Sequence, residues 1–580
     1  MRSDNSLRLC LLASLASGAA CGGSRSTTPA AGSGDASFTR LASNILDYQY
    51  RRQPTLATDL GIHAYDDQLE DYSREAVTTE VDALQTFRAQ LQAIDVATLT
   101  LPNQLDREQV IHALDSRILT LGVVKAWARD PDLYSSGITR SADVMIKRSF
   151  APPADRLKHL VERERKMPAA LAAARRNLDS PPRVYTEIAI EQLDGNHDFF
   201  EKDVPAAFQG VSDAALLTEF QQTNHAVIAA LIDYKAFLQE ALLPNSKGHF
   251  AIGGDTYAKM LAADEMVDLP IDRLLSIAEA DQRKNEDAFI ATAKRIDSKK
   301  SPGEVLASLQ LDHPPAAQLL TTAQATLDSL RQFIIDHHLV TVPPSEAVRV
   351  KETPPFMRST TTASMDIPGP FEHVGSEAYF YMTLPNPRWP AAQQADYMRK
   401  WYYAGISNTS VHEVYPGHYL QFLYQNQFPS VRKVYAAASN VEGWAHYCEQ
   451  MILDEGFHAD DPKYRLAQLQ GALLRDLRFI VGIKMHTQDM TVEEATRLFQ
   501  TQGHQPAAVS QAEAKRGTSN PTYGYYTMGK LMILKLRDDY KAKMGSAYTL
   551  QGFHDAFVAL GPLPVPLIRR EMLGTIGQIL

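Results

Sequence analysis

The sequence predicts a mainly α-helical protein, large and two-lobed, with one small β-sheet. Three observations carry that expectation. Long segments rich in Ala, Leu, Glu, Gln, Lys and Arg repeat apolar residues at three- and four-residue spacings. Proline and glycine pairs fall between those segments rather than inside them. The texture changes once, near Thr341, where prolines and β-branched residues displace the helical pattern.

From the N-terminus, residues 1–20 read as a secretory signal. Arg2 and Arg8 flank a polar stretch, and the apolar run of residues 9–20 that follows is too short for a bilayer span of about 20 residues. Residues 21–37, opening with Cys21, Gly22 and Gly23, form a Gly/Ser/Thr-rich tether of the kind that follows a lipid-bearing cysteine. This implies export to the periplasm with an anchor on Cys21. Gly18 stands where lipoproteins usually carry Leu, so plain signal-peptidase cleavage is the alternative. Of the other cysteines, Cys10 lies in the signal and Cys448 is then alone, which leaves no disulfide framework.

Residues 38–340 form an expected N-terminal helical lobe, with helices over 73–94, 154–178, 214–243, 271–296 and 316–337. Pro152-Pro153, Pro181-Pro182, Gly253-Gly254 and Pro302-Gly303 punctuate them. Residues 341–580 form the C-terminal lobe, with strands expected around 347–351 and 377–383 and helix resuming at 391, including 464–486. No fixed repeat is present. The 68 acidic and 58 basic residues give a charge of −10, and no Lys/Arg block tracks a phosphate backbone, which argues against a nucleic-acid partner.

Residues with the makings of a metal site cluster in the C-terminal lobe. His412, Glu413 and His418 place a carboxylate beside one imidazole and a second imidazole six residues on. In H-E-x-x-H sites the histidines share one helix face, whereas a six-residue interval turns the second ring by about 240° on a straight helix. Pro416 and Gly417 lie between them and would allow the helix to break and His418 to return. Glu442, 24 residues after His418, completes a His₂Glu set with one position open. His446, one turn later, is an alternate ligand, and Glu449 is placed to orient a ligating histidine. A bland reading stands beside this one: Ser410-x-x-Glu413 and Ser439-x-x-Glu442 both match the helix capping box.

The runs His412-Glu413-Val414-Tyr415-Pro416-Gly417-His418 and Glu442-Gly443-Trp444-Ala445 resemble a bacterial family catalogued as domain of unknown function number 885, marked by H-E-x-x-P-G-H and E-G-W-A. The resemblance implies a zinc metallopeptidase, mainly helical and related in architecture to helical oligopeptidases with a deep cleft. One zinc per chain would be held by His412, His418 and Glu442, with Glu413 as general base. The family's R-x-x-x-D-x-x-x-H segment falls on residues 478–486, with Gly482 at the Asp position, so no role carries over for that Asp. The R-Y and Y-x-x-G-K segments fall on Arg516-Gly517 and on residues 526–530, with Gly517 in place of Tyr.

On that resemblance, metal-activated water attacks the peptide carbonyl of an oligopeptide and Glu413 passes the proton to the leaving amine. Tyr526, Tyr525 or His486 would donate to the oxyanion, although an aromatic run in a helix also serves core packing. Arg516 would bind a substrate carboxylate or else pair with Glu513. The strand at 377–383 would bind extended peptide along its edge. Two other classes remain open at this point: a metal hydrolase of a non-peptide amide or ester, and a non-catalytic surface-anchored binding lipoprotein.

Overall fold

The structure is a computed structural model that describes residues 32–344, 348–354, 358, 362–374 and 377–580. The expected signal and Cys21 lie outside the described residues. Helix makes up 71% of the structure, as the sequence periodicity requires. The longer helices are numbered here in chain order. The first eleven are α1 (Asp35–Arg52), α2 (Arg74–Gln92), α3 (Leu101–Leu119), α4 (Asp132–Ile146), α5 (Pro153–Glu164), α6 (Met167–Asn177), α7 (Arg183–Asp198), α8 (Ala214–Phe237), α9 (Gly254–Glu265), α10 (Ile271–Ile296) and α11 (Leu319–Asp336). After the sheet come α12 (Tyr403–Glu413), α13 (His418–Leu423), α14 (Ala438–Asp454), α15 (Pro462–Thr487), α16 (Ala507–Ser519) and α17 (Tyr525–Met544).

Three local departures from the sequence reading have physical causes. The tether assigned to residues 21–37 ends early: Gly32 and Gly34 donate to the Thr98 carbonyl, and α1 begins at Asp35. The single helix expected over 154–178 is two, because Pro168 sits in the first turn of α6, where its missing N–H costs nothing and its ring would clash inside a continuous helix. The helix expected to reach 243 passes from α8 into one wide π turn at Leu238–Leu242.

The sheet has strands β1 (Arg349–Glu352), β2 (Ala363–Asp366) and β3 (Tyr379–Met382) in the order β1-β3-β2. β3 pairs parallel with β1 and antiparallel with β2. The segment 377–383 is therefore central. Both of its edges are taken, and the expected docking of a peptide along it is ruled out.

Residues 134–242 enclose their own apolar core, with Tyr134, Ile138, Phe200 and Leu238 at its centre. A larger core surrounds the candidate site and gathers Leu105 together with residues from Tyr257 through Ile579. It runs across residue 340, where the sequence suggested a boundary, because α9 to α11 pack into it. The dominant helix pairs are α10 on α15 and α14 on α17. The second pair is set by glycine. A Cβ on Gly529 would lie 1.9 Å from the Ser439 carbonyl oxygen, and one on Gly443 would lie 2.6 Å from Gly529 Cα. Only two glycines allow this approach, so the glycines of E-G-W-A and Y-x-x-G-K serve a single backbone crossing.

Candidate metal centre

His412 closes α12. The helix stops because Val414 leaves helical geometry (φ −123°, ψ −80°), and Val414 and Tyr415 both donate their N–H to the Ser410 carbonyl. The Tyr415–Pro416 peptide is cis, and Gly417 donates to the Val411 carbonyl. A Cβ on Gly417 would fall 1.9 Å from the His412 carbonyl oxygen, so this turn folds onto its own helix as only glycine permits. The Pro416 carbonyl is held by Trp444 Nε1–H at 2.8 Å. His418 then opens α13 and swings back toward His412, their rings edge to face at 4.8 Å. The six-residue interval that defeats a straight helix works because the helix breaks.

Glu442 arrives from α14. One nitrogen of each imidazole and one carboxylate oxygen lie within 4.8 Å of one another. Glu442 Oε2 is 3.4 Å from His418 Nε2 and 3.6 Å from His412 Nε2, and this buried oxygen makes no hydrogen bond. Four ligands about 2.1 Å from a tetrahedral ion stand on the order of 3.4 Å apart, so these separations and this donor set suit zinc. His412 is oriented from behind. Its Nδ1–H donates to Glu449 Oε1 at 2.7 Å, which fixes the tautomer that leaves Nε2 free. Arg475 Nη2 at 2.9 Å and Asn408 Nδ2 at 3.2 Å hold the same buried carboxylate. Burial disfavours charge on His412, and Arg475 adds to that, but Glu442 and Glu449 outweigh both and push it up to about 9. The pocket therefore favours positive charge.

Glu413, half-buried beside His412, makes no hydrogen bond or ion pair among the described residues. Ser410 lies inside α12 rather than at its start, and Ser439 lies in the first helical turn of α14 behind Ala437. Neither capping box forms, which removes the bland reading of both glutamates. Tyr526 stacks on His412 at 6.2 Å and 18°, and its ring carries the guanidinium groups of Arg475 and Arg478 at 5.6 and 5.3 Å. Burial, reinforced by Glu442, raises its phenol, so it remains a proton donor.

Other expected participants lie elsewhere. His486 is buried against Tyr257 and Phe250 with Nε2 on the Gly517 carbonyl at 2.8 Å, and burial lowers it to about 4. It stands eight residues beyond Arg478 on α15, about 12 Å along the axis. Tyr525 has its hydroxyl engaged by Asp264 at 3.0 Å. Arg516 is exposed and its charge is felt at the Tyr526 phenol. It does not pair with Glu513, whose carboxylate is taken by Arg478 at 2.6 and 2.8 Å. His446 is fully buried and lowered to about 3 by burial and Lys530. It faces Glu449 at 3.6 Å and is outside the three-ligand group. Cys448 is free and buried.

Arg475 and Asn408 escaped the sequence reading, as did a buried network in which Lys530 pairs with Asp281 at 2.7 Å while Asp476 accepts from Asn285 and Thr527. A lysine within an apolar helical stretch was the one signal for it.

Among the described residues no helix is long and apolar enough to cross a membrane. A comparison with curated proteins finds no match. Two solved structures share the fold. One, described as “a putative lipoprotein of unknown function” from Shewanella oneidensis, is 26% identical with a TM-score of 0.78, covering 92% of this chain and 99% of that one. The other, described as “the putative lipoprotein” from Colwellia psychrerythraea, is 19% identical with a TM-score of 0.79, covering 93% and 99%. The family described as “Bacterial protein of unknown function (DUF885)” matches residues 54–572, and the chain belongs to it.

Proposed function

We propose that the protein is an exported zinc-dependent peptide hydrolase, tethered to a membrane through Cys21. The observation that carries the reading is the convergence of His412 Nε2, His418 Nε2 and the unbonded Glu442 Oε2, with Glu449 locking the first ligand from behind. The three donors would hold zinc, which supplies Lewis acidity toward water and a scissile carbonyl. Glu413, whose side chain has no partner among the described residues and which is adjacent to His412, takes a proton from the attacking water and delivers it to the leaving amine. Tyr526, held as a neutral phenol on the face of His412, donates to the developing oxyanion. Arg475 and Arg478 fix the phenol's ring and add positive potential where that charge appears. Export and tethering rest on residues 1–37 and agree with the lipoprotein descriptions of the two structural neighbours.

The test compares wild type with Glu413→Gln on a mixed peptide library, with zinc quantified in the same samples. The variant keeps its zinc and loses turnover by about 10²–10⁴-fold or more. Zinc-loaded wild type that cleaves no peptide, or a variant within a few-fold of wild type, overturns the reading.

A further inference from the structure

A cavity of about 410 Å³ lies under the N-terminal turn of α14. Ala438 lines it, and Glu442 follows four residues later on the same helix face, so the cavity and the candidate metal centre are one helical turn, about 6 Å, apart along α14. One face of α1, with Tyr48 and Arg52, forms a second wall. One face of α3, with His112 and Arg117, forms a third, and Glu80 of α2 closes the far end.

The charges at that end do not balance. Glu80 accepts from Arg52 Nη2 at 3.1 Å and from Arg117 Nε at 2.8 Å. Its side chain is 4% exposed, whereas that of Arg117 is 37% exposed. Two guanidinium groups thus share one sunken carboxylate, and no other ion pair engages either of them among the described residues. Most of their N–H donors are left over. The Tyr48 hydroxyl, within the field of all three groups, is buried without a hydrogen-bond partner among the described residues. The other acids of the cavity are occupied: Asp264 takes the Tyr525 hydroxyl at 3.0 Å, and Glu265 takes the Ser439 backbone N–H at 3.0 Å.

We propose that this cavity is a substrate subsite in which Arg52, Arg117 and Tyr48 bind a carboxylate of the peptide being cleaved, so that the enzyme acts on peptides anchored by an anionic group. The proposal rests on the peptide-hydrolase reading. A guanidinium fork with unused donors binds a carboxylate through paired, charge-assisted hydrogen bonds, and the cavity that holds this fork is lined by Ala438, one helical turn before Glu442. The carboxylate comes either from the chain terminus or from an acidic side chain. Both sources present the same chemistry.

The probes are alanine peptides in three forms: free acid, C-terminal amide, and amide with one internal glutamate. Calorimetric binding to zinc-loaded Glu413→Gln protein is read alongside KM on wild type. The acid or the glutamate-containing amide binds at least about tenfold more tightly than the plain amide, and the better form identifies the source. Arg117→Gln, which leaves Glu80 paired with Arg52, and Tyr48→Phe each reduce that preference, Arg117→Gln by about ten- to a hundredfold, with kcat on the plain amide unchanged. If Arg117→Gln fails to fold, Tyr48→Phe decides. Equal binding of all three forms, or a preference that survives both variants, overturns the subsite. Peptides cleaved without regard to carboxylates sink this inference alone, whereas no peptide cleaved at all sinks the hydrolase reading.

Discussion

Replacing Glu449 with Gln probes the candidate metal centre from behind, without touching any of its three donor side chains. The side chain is fully buried and serves three donors at once: His412 Nδ1 at 2.7 Å, Arg475 at 2.9 Å and Asn408 at 3.2 Å. Glutamine keeps the shape but has only one acceptor oxygen. If that oxygen takes the His412 N–H it keeps Arg475 Nη2 as well, because both now share Oε1, and its amide N–H₂ faces Asn408 Nδ2 and Arg475 Nη1, donor against donor. Arg475 then loses its buried counter-charge, at a cost of about 3–5 kcal/mol in folding stability. His412 keeps an acceptor but loses the carboxylate charge that raises its basicity toward a metal, and zinc affinity falls by about 10–100-fold, equivalent to about 1.4–2.7 kcal/mol. Zinc affinity is measured by competition with a chromophoric chelator, and stability by urea unfolding of the metal-free protein. The two readouts separate the roles of Glu449. A folded Glu449→Gln protein that loses stability yet binds zinc within about threefold of wild type shows that His412 does not need this carboxylate, and refutes the proposed support of His412 by Glu449.

Gly529→Ala should cost about 3 kcal/mol or more in urea unfolding, at the upper end of overpacking penalties, because its methyl group meets the Ser439 backbone rather than a movable side chain; a loss below about 1 kcal/mol would show that the two helices separate easily. Burial raises Glu265 from the ordinary 4.5 to about 8. Between those values the folded protein holds a proton the unfolded chain has released, so stability falls as pH rises through the window, by about 1.4 kcal/mol per pH unit. Glu265→Gln, which can still accept from Ser439, should flatten that dependence when unfolding is compared at pH 5 and pH 8, and an unaltered slope counts against it. Mass spectrometry of the mature protein should find a lipid-modified Cys21 at the N-terminus; a free amine at a later residue eliminates the anchor.

Much of the helical architecture is legible because a 3.6-residue apolar period survives in isolation, as in α2 and α10, whose bounds fall within two residues of the sequence expectation. The split at α5 and α6 was also written in the chain, in Pro168. The sheet order was not, because nothing local to 377–383 says that β1 and β2 will cover both its edges. The convergence of His412, His418 and Glu442 was legible from residue type and the Pro-Gly break, and Glu449 from its two-turn spacing after Glu442. Arg475 was invisible because it reaches Glu449 from another helix, a relation that only tertiary packing creates. His486 misled for the opposite reason: sharing a helix face with Arg478 does not keep it near the site when eight residues of rise intervene.

The glycine crossing of α14 and α17 bears on how the site moves. Glu442 immediately precedes Gly443, and Tyr526 lies three residues before Gly529, so the Glu442 carboxylate and the Tyr526 phenol ride on two helices in backbone contact. With no side chain between them to act as a bearing, the helices have little room to slide or rock independently. Thermal breathing of the surrounding helices therefore carries Glu442 and Tyr526 together as one rigid body. His418 is tied to the same body, because Trp444 of α14 holds the Pro416 carbonyl at 2.8 Å and Gln421 of α13 donates to Asn440 of α14 at 2.6 Å, so all three side chains keep their mutual spacing when the surrounding helices move.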